Sequence, residues 1–158
     1  MCSSDLVVGG LNNGGRGYYA LDVTNPASPK ALWEFTDTNL GYTYGNPIIT
    51  KLRDGTWVVM FTSGYNNVSP GDGVGRLYIV NANTGALIRS ISTGVGSTTT
   101  PSGLSKISAW VDAFNTDNTT LRVYGGDLLG NLWRFDVDDR YGAAGYDAQR
   151  LVTFYANT

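Results

Sequence analysis

The densest run of oxygen-bearing side chains in the sequence is Asp112-Ala113-Phe114-Asn115-Thr116-Asp117-Asn118-Thr119-Thr120. A hard cation such as Ca²⁺ takes about six to eight oxygens, and a loop offering carboxylates and amides at short intervals can wrap them around one ion. Asp112, Asn115, Asp117 and Asn118 are the candidate ligands. The same composition also makes a solvated polar hairpin, so the run reads either as a calcium site or as a plain connection.

Other positions invite a chemical reading and also have a structural one. Asp127, between Gly126 and the turn into Asn131-Leu132-Trp133-Arg134-Phe135, reads as a turn cap. The stretch from Gly64 to Gly75 carries Tyr65, Asn66, Asn67 and Asp72 and reads either as a partner-binding loop or as an irregular connection. Trp33, Trp57, Trp110 and Trp133 resemble sugar-stacking groups in isolation, but each sits in an apolar strand-like run, where core packing is expected for at least three of them. The glycine-rich segment Gly9–Gly17 looks like a phosphate loop. It leads into a strand, however, and lacks the helix amino terminus that gives such loops their affinity.

Composition removes most catalytic alternatives. Histidine is absent, Cys2 is the one cysteine and Glu34 the one glutamate. A histidine-based triad, a His/Cys zinc site and an internal disulfide are therefore excluded, and no paired carboxylates share an evident cleft for acid–base work. The expectation is a protein that is not an enzyme. With 11 basic against 13 acidic residues and no Lys/Arg run, nucleic acid is not an expected partner. No stretch reaches the ~18 apolar residues of a membrane span, and the amino terminus lacks the pattern of a secretory signal. The polar Met1–Asp5 leads straight into Leu6-Val7-Val8 with no turn signal and reads as foreign to the fold or disordered, leaving residues 6–158 as one incomplete domain.

The elements that would carry these groups are strands. Among 158 residues there are 21 glycines, and the apolar runs are rich in Val, Ile, Tyr and Trp, which suits short strands closed by turns. Laid against itself, the chain repeats three times: LVVGG–GYYALDV–ALWEF, then WVVMFTSG–RLYIVNA–ALIRSI, then LRVYGG–NLWRFDV–RLVTFY. Tyr19, Tyr78 and Trp133 stand 59 and 55 residues apart, and Asp22, Asn81 and Asp136 follow each by three positions, ending their strands as turn caps. Trp57–Phe61 and Leu77–Val80 are apolar without alternation, so both faces are expected to be covered. Small antiparallel sheets stacked around an axis do this, and a two-sheet sandwich does not. The fold expected is all-β, a partial β-propeller of about three blades of four-stranded antiparallel sheets. Asp54-Gly55 is expected as a two-residue hairpin and Asn83-Thr84-Gly85 as a tight turn.

The segments GGRGYYALDV, LGYTYGNPIITKLRDGTWVVMFTSGYNN, GDGVGRLYIVNANTG and above all VYGGDLLGNLWRFDV resemble the carboxy-terminal propeller of the PilC/PilY family, the tip-associated type IV pilus biogenesis proteins and adhesins of Gram-negative bacteria. The resemblance runs from about Leu6 to Val137. It implies a longer parent protein, of which this chain forms roughly half a domain, so that one partner is the remainder of its own propeller. It implies a role in pilus assembly or tip adhesion, with pilus minor subunits or a host or surface ligand as partners. The place implied is extracellular, on the pilus (fimbrium) or outer-membrane surface. It also implies a calcium loop at Asp112–Asn118, of the type Asp-x-Asn-x-Asp-Gly with a closing Asp. The loop departs from that pattern: its oxygens fall at positions one, four, six and seven, the glycine is missing, and Thr120 or Leu121 stands where the closing acid belongs. A looser resemblance, of Ala20-Leu21-Asp22 with Trp33 and of Asn81–Gly85, is to the tryptophan-docking repeat of quinoprotein (PQQ-repeat) propeller enzymes. It implies blade docking more than a cofactor, and keeps a fragment of such an enzyme as the alternative.

Overall fold

A computed structural model describes residues 5–137 and 145–155. The proposed foreign segment therefore lies outside the described residues except for Asp5, as does Cys2. Eleven strands follow one another with no helix among the described residues: β1 (Leu6–Gly10), β2 (Tyr18–Asp22), β3 (Lys30–Phe35), β4 (Ile48–Lys51), β5 (Trp57–Thr62), β6 (Arg76–Asn81), β7 (Leu87–Ser92), β8 (Ile107–Trp110), β9 (Arg122–Gly126), β10 (Asn131–Asp136) and β11 (Ala148–Thr153). They form three antiparallel sheets, β1-β2-β3, β4-β5-β6-β7 and β8-β9-β10-β11. Two sheets have the four strands expected. The first has three, because no described residue pairs with the free edge of β1.

The repeat is kept to the residue. Leu6 pairs with Asp22, Val58 with Asn81 and Arg122 with Asp136, and at the other end Gly10 pairs with Tyr18, Thr62 with Leu77 and Gly126 with Leu132. The spacings of 59 and 55 residues are thus the spacings of the strand registers. A bulge interrupts the outer pairing at Ala20/Leu21 and at the matching Ile79/Val80, whereas in the third sheet it has moved to Leu132/Trp133.

Why β5 and β6 lack alternation is visible in the packing. Val58 and Met60 join Leu77 and Ile79 in one core with Val123, Trp133 and Phe135 of the third sheet. Val59 and Phe61 point the other way, into a second core with Tyr18, Ala20 and Trp33 of the first sheet and with Tyr78 and Val80. The middle sheet is therefore apolar on both faces because a sheet covers each, and Val58–Phe61 are fully buried. Burial of such side chains stabilises by roughly 1.5–3 kcal/mol apiece.

Docking between sheets uses the turns as well. Trp33, on the outer strand β3, donates its indole N–H to the Ala82 carbonyl (2.8 Å), and its ring lies against Gly85, where a Cβ would come within 2.7 Å of the indole. Gly85 also has φ of +70°, so both backbone and contact call for glycine there. At the matching place one sheet on, Arg89 sets its guanidinium 4.8 Å from the ring centre of Tyr146, in the turn before β11. Trp110 is the tryptophan outside the cores, half exposed at the end of β8.

The turns follow the chain's local chemistry with one difference. The loop at Asp54-Gly55 has three residues, Arg53-Asp54-Gly55: Gly55 N–H donates to the Leu52 carbonyl (2.9 Å), and Leu52 N–H donates to that of Thr56 (2.9 Å). Gly55 takes φ of +88°, which makes this a type I turn closed by a bulge. Leu128-Leu129-Gly130 repeats the arrangement between β9 and β10.

Candidate functional site

The polar run 112–120 joins β8 to β9 at the border of the second and third sheets. Its backbone folds into one helical turn, the Ala113 carbonyl accepting from the N–H groups of Thr116 (2.9 Å) and Asp117 (2.8 Å). The chain then runs beside the end of β4 as a short parallel bridge, Lys51 against Thr119. Three backbone and hydroxyl bonds close this seam. Lys51 N–H donates to the Asn118 carbonyl (3.2 Å), Thr120 N–H donates to the Lys51 carbonyl (3.0 Å), and Thr50 Oγ1 donates to the Asn118 carbonyl (2.6 Å). The Thr50 and Thr120 hydroxyls meet at 2.6 Å in the buried interior of the seam.

The four candidate ligands are divided by these contacts. Asp117 carries an ion pair with Lys51 Nζ at 2.7 Å and accepts from the Thr119 N–H (3.2 Å) and hydroxyl (2.9 Å). The bond from Lys51, then that from Thr119, holds its carboxyl below the ordinary carboxylate value. Asp112 accepts from the Trp110 indole N–H at 2.6 Å. Asn115 is exposed on the helical turn, and Asn118 spends its carbonyl on Thr50 and Lys51. Asp112 and Asp117 share a cleft of about 300 Å³ with Thr119, and Arg53 lines it too.

As they stand, these residues do not fit a calcium ion. The ion needs several anionic oxygens free to converge. Here one carboxylate is paired with an ammonium, the other accepts from an indole, and Arg53 lines the same cleft. Among the described residues no group of three or more Asp, Glu, His or Cys side chains is placed to hold a metal. Sequence reasoning identified the loop and missed its partners. Thr50 and Lys51 lie about 70 residues upstream on another sheet, and no local signal in PIITKL marks them.

The remaining candidates are structural in their contacts. Asp127 accepts from the N–H groups of Leu129 (3.0 Å) and Asn131 (2.9 Å), from the Asn131 side-chain amide, and from the Trp133 indole N–H (2.8 Å). It caps its turn and anchors a buried tryptophan. Asp22 and Asn81 cap their turns through Thr24 N–H (2.9 Å) and Asn83 N–H (3.0 Å). Asp136 departs from the pattern: it is buried and accepts from Arg134 (3.3 Å), with burial pushing its carboxyl up.

The stretch from Gly64 to Gly75 is braced from both sides. Arg16 donates to the carbonyls of Asn66 (3.2 Å), Val68 (3.0 Å) and Ser69 (3.2 Å), and Arg76 forms a two-pronged pair with Asp72, both bonds 2.6 Å. Asn67, wholly buried, donates to the carbonyls of Asn39 and Val74. Gly9–Gly17 runs from β1 to β2 with no helix, so it offers no amino-terminal dipole to a phosphate.

Comparison with known proteins places this architecture. The family model described as the PilY1 beta-propeller domain matches residues 3–147. The chain is 38% identical over 135 residues to the type IV pilus biogenesis factor PilY1 of Pseudomonas aeruginosa (strain PAO1), covering 84% of this chain and 11% of that protein. It is 39% identical over 164 residues to a PilY1 homolog of Xylella fastidiosa (strain Temecula1), covering 95% of this chain and 10% of that protein. The crystal structure of the Pseudomonas aeruginosa PilY1 C-terminal domain superposes with a TM-score of 0.70 at 38% identity, over 83% of this chain and 26% of that one. The chain spans about a tenth of the length of these curated relatives, and none of the matches favours the quinoprotein alternative. On the matched residues 3–147, the chain belongs to the PilY1 β-propeller family of type IV pilus biogenesis factors.

Proposed function

We propose that this chain is part of the propeller module of a type IV pilus biogenesis factor that works outside the cell by binding other pilus components or a surface ligand, and not by catalysis. The observation that carries the binding reading is the braced stretch from Gly64 to Gly75. It is an irregular loop held by Arg16, by the Arg76–Asp72 pair and by buried Asn67, and it presents polar side chains from a rigid scaffold. A loop ordered before binding does not spend its affinity on becoming ordered. Family membership supports the pilus setting, and the names of the relatives support a place on the pilus or cell surface. We propose further that the loop at Asp112–Asn118 works without calcium, the Lys51 ammonium supplying the positive charge beside Asp117.

The test is a chimera in Pseudomonas aeruginosa in which residues 6–137 replace the matching stretch of PilY1. Restored surface pili and twitching are expected, with adhesion scored separately. A chimera that is secreted and folded but gives no pili refutes the assembly role. Pili that assemble normally when Asn66, Val68 and Ser69 are all replaced by Gly, with adhesion also unchanged, refute the loop's part in binding.

A further inference from the structure

A second cleft, of about 500 Å³, opens where the loop from β1 to β2, the connection from β3 to β4 and the stretch from Gly64 to Gly75 meet. Its volume lies within the ~300–1,000 Å³ of small-molecule sites. Arg16, Thr36, Asp37, Thr38, Leu40 and Pro70 line it. Its walls are tied together without a ligand. Beyond the three bonds from its guanidinium to the 64–75 stretch, Arg16 accepts at its carbonyl from the Thr36 hydroxyl (3.0 Å). Asp37 Oδ1 accepts from the hydroxyl of buried Tyr78 (2.8 Å) and from Asn39 N–H (2.8 Å), and Asn39 Oδ1 accepts from Asp72 N–H (3.2 Å). Polar capacity is left over. No described residue donates to Asp37 Oδ2, and the Arg16 Nε–H and the exposed Thr38 hydroxyl bond to no described residue. Arg16 and Asp37 form no ion pair with each other, and beside them Arg76 and Asp72 cancel. The cleft therefore offers fixed donors and acceptors with no net charge.

We propose that this cleft binds a neutral saccharide, with the tyrosines beside it as the stacking surface. An anion would meet Asp37 and a cation would meet Arg16, while an apolar ligand would leave both without partners. A sugar hydroxyl both donates and accepts, so neighbouring hydroxyls of one ring can donate to Asp37 and accept from Arg16. The C–H face of such a ring packs on an aromatic face, and one adjoins the cleft. Tyr42 and Tyr44 are two positions apart and Tyr65 bridges to Tyr42, so strand alternation puts all three on one face. The Arg16 guanidinium lies 5.6 Å from the Tyr42 ring centre and joins that face to the cleft. Tyr44 and Tyr65 have ring centres 5.7 Å apart, and Tyr44 is 40% exposed. This gives the surface ligand a chemical class, and it rests on the reading of Gly64 to Gly75 as a binding loop.

The experiment is saturation-transfer NMR on the full chain with methyl β-galactopyranoside, methyl α-mannopyranoside and methyl N-acetyl-β-glucosaminide, each raised to about 10 mM, and with citrate and spermidine as charged probes. At least one glycoside is expected to bind with a Kd of about millimolar, and neither charged probe is expected to bind. Thr38→Val removes an exposed hydroxyl and Tyr44→Ala an exposed ring, so each is expected to leave Tm unchanged and to weaken glycoside binding at least about fivefold. Binding of none of the glycosides, tighter binding of either charged probe, or undiminished binding in either variant overturns the proposal. Should no glycoside bind while the glycine replacements at Asn66, Val68 and Ser69 still lower adhesion of the chimera, the saccharide fails and the loop's part in binding stands.

Discussion

At the scale of single residues, the decisive contact is that of Lys51 with Asp117. A calcium ion competing for Asp117 has to displace an ammonium at 2.7 Å, so several millimolar calcium is expected to leave the Tm of the chelator-treated protein unchanged. A calcium-dependent rise that disappears in Asp117→Ala would establish the loop as a cation site. Trp33 and Gly85 are two halves of one contact. Trp33→Ala is expected to cost about 3–5 kcal/mol in denaturant unfolding, the range for emptying a buried aromatic site. Gly85→Ala is expected to destabilise through both its left-handed backbone and the 2.7 Å approach to the indole, and the two losses should not add because they remove one contact. Asp72 supplies a pH signature. Its two bonds from Arg76 draw its pKa from 3.8 down to about 2. The folded value is the lower one, so the stabilisation is complete above about pH 4 and is lost as pH falls through about 2. The stability gap between wild type and Arg76→Met is therefore expected to shrink across that window. The gap itself should be small, since the carboxylate is half exposed to solvent.

At the scale of elements, the connection between β8 and β9 runs against what its length alone suggests. The equivalent β4–β5 connection needs three loop residues, and a longer loop carries a slowly growing closure entropy. Shortening the run 112–120 to an Arg-Asp-Gly turn should then stabilise the protein if loop length were the governing factor. The seam predicts the opposite. The deletion removes Lys51 N–H to Asn118, Thr120 N–H to Lys51 and the Thr50 hydroxyl contacts, and leaves the buried Thr50 hydroxyl without a partner. A fall in Tm is expected, and a rise would refute the seam's role. The β9–β10 turn gives a parallel case: Asp127→Ala strips the buried Trp133 indole of its acceptor and is expected to cost about 1–3 kcal/mol. Asp127 was legible as a turn cap from Gly126, Gly130 and the strands on either side. Its hold on Trp133, six residues on and across the hairpin, needed the folded turn to be seen.

At the scale of the whole molecule, three stacked sheets leave two outer faces without a neighbouring sheet. The third sheet exposes Leu151 and Val152 on β11 and Phe154 beyond it, and the first exposes Val7, whose counterpart Val59 in the middle sheet is fully buried. Apolar faces of this kind promote association. Light scattering of the isolated chain is expected to show concentration-dependent growth that Leu151→Lys reduces and Val8→Pro does not, since the faces and the β1 edge are separate surfaces. Far-ultraviolet circular dichroism is expected to show strand without helix.

The sequence by itself determined the strand class and the three-fold repeat with its spacings of 59 and 55 residues. Those are set by nearest-neighbour chemistry: β-branched and aromatic runs, glycine where a turn needs positive φ, and short oxygen-bearing caps at Asp22 and Asn81. The unbroken apolar runs of β5 and β6 also announced a sheet on either side. Only the tertiary structure showed what the loop at Asp112–Asn118 packs against. On paper its oxygens read as a calcium site or as a solvated hairpin, and its contacts with Thr50 and Lys51 come from the stacking of one sheet on the next. An open edge on one sheet was expected of three blades that cannot close a ring, but which sheet would carry it was hidden, because Leu6–Gly10 reads the same whether its edge is covered or open. Strand patterns encode which face of a residue is buried, whereas the partner across an edge or a seam is set by how whole sheets pack.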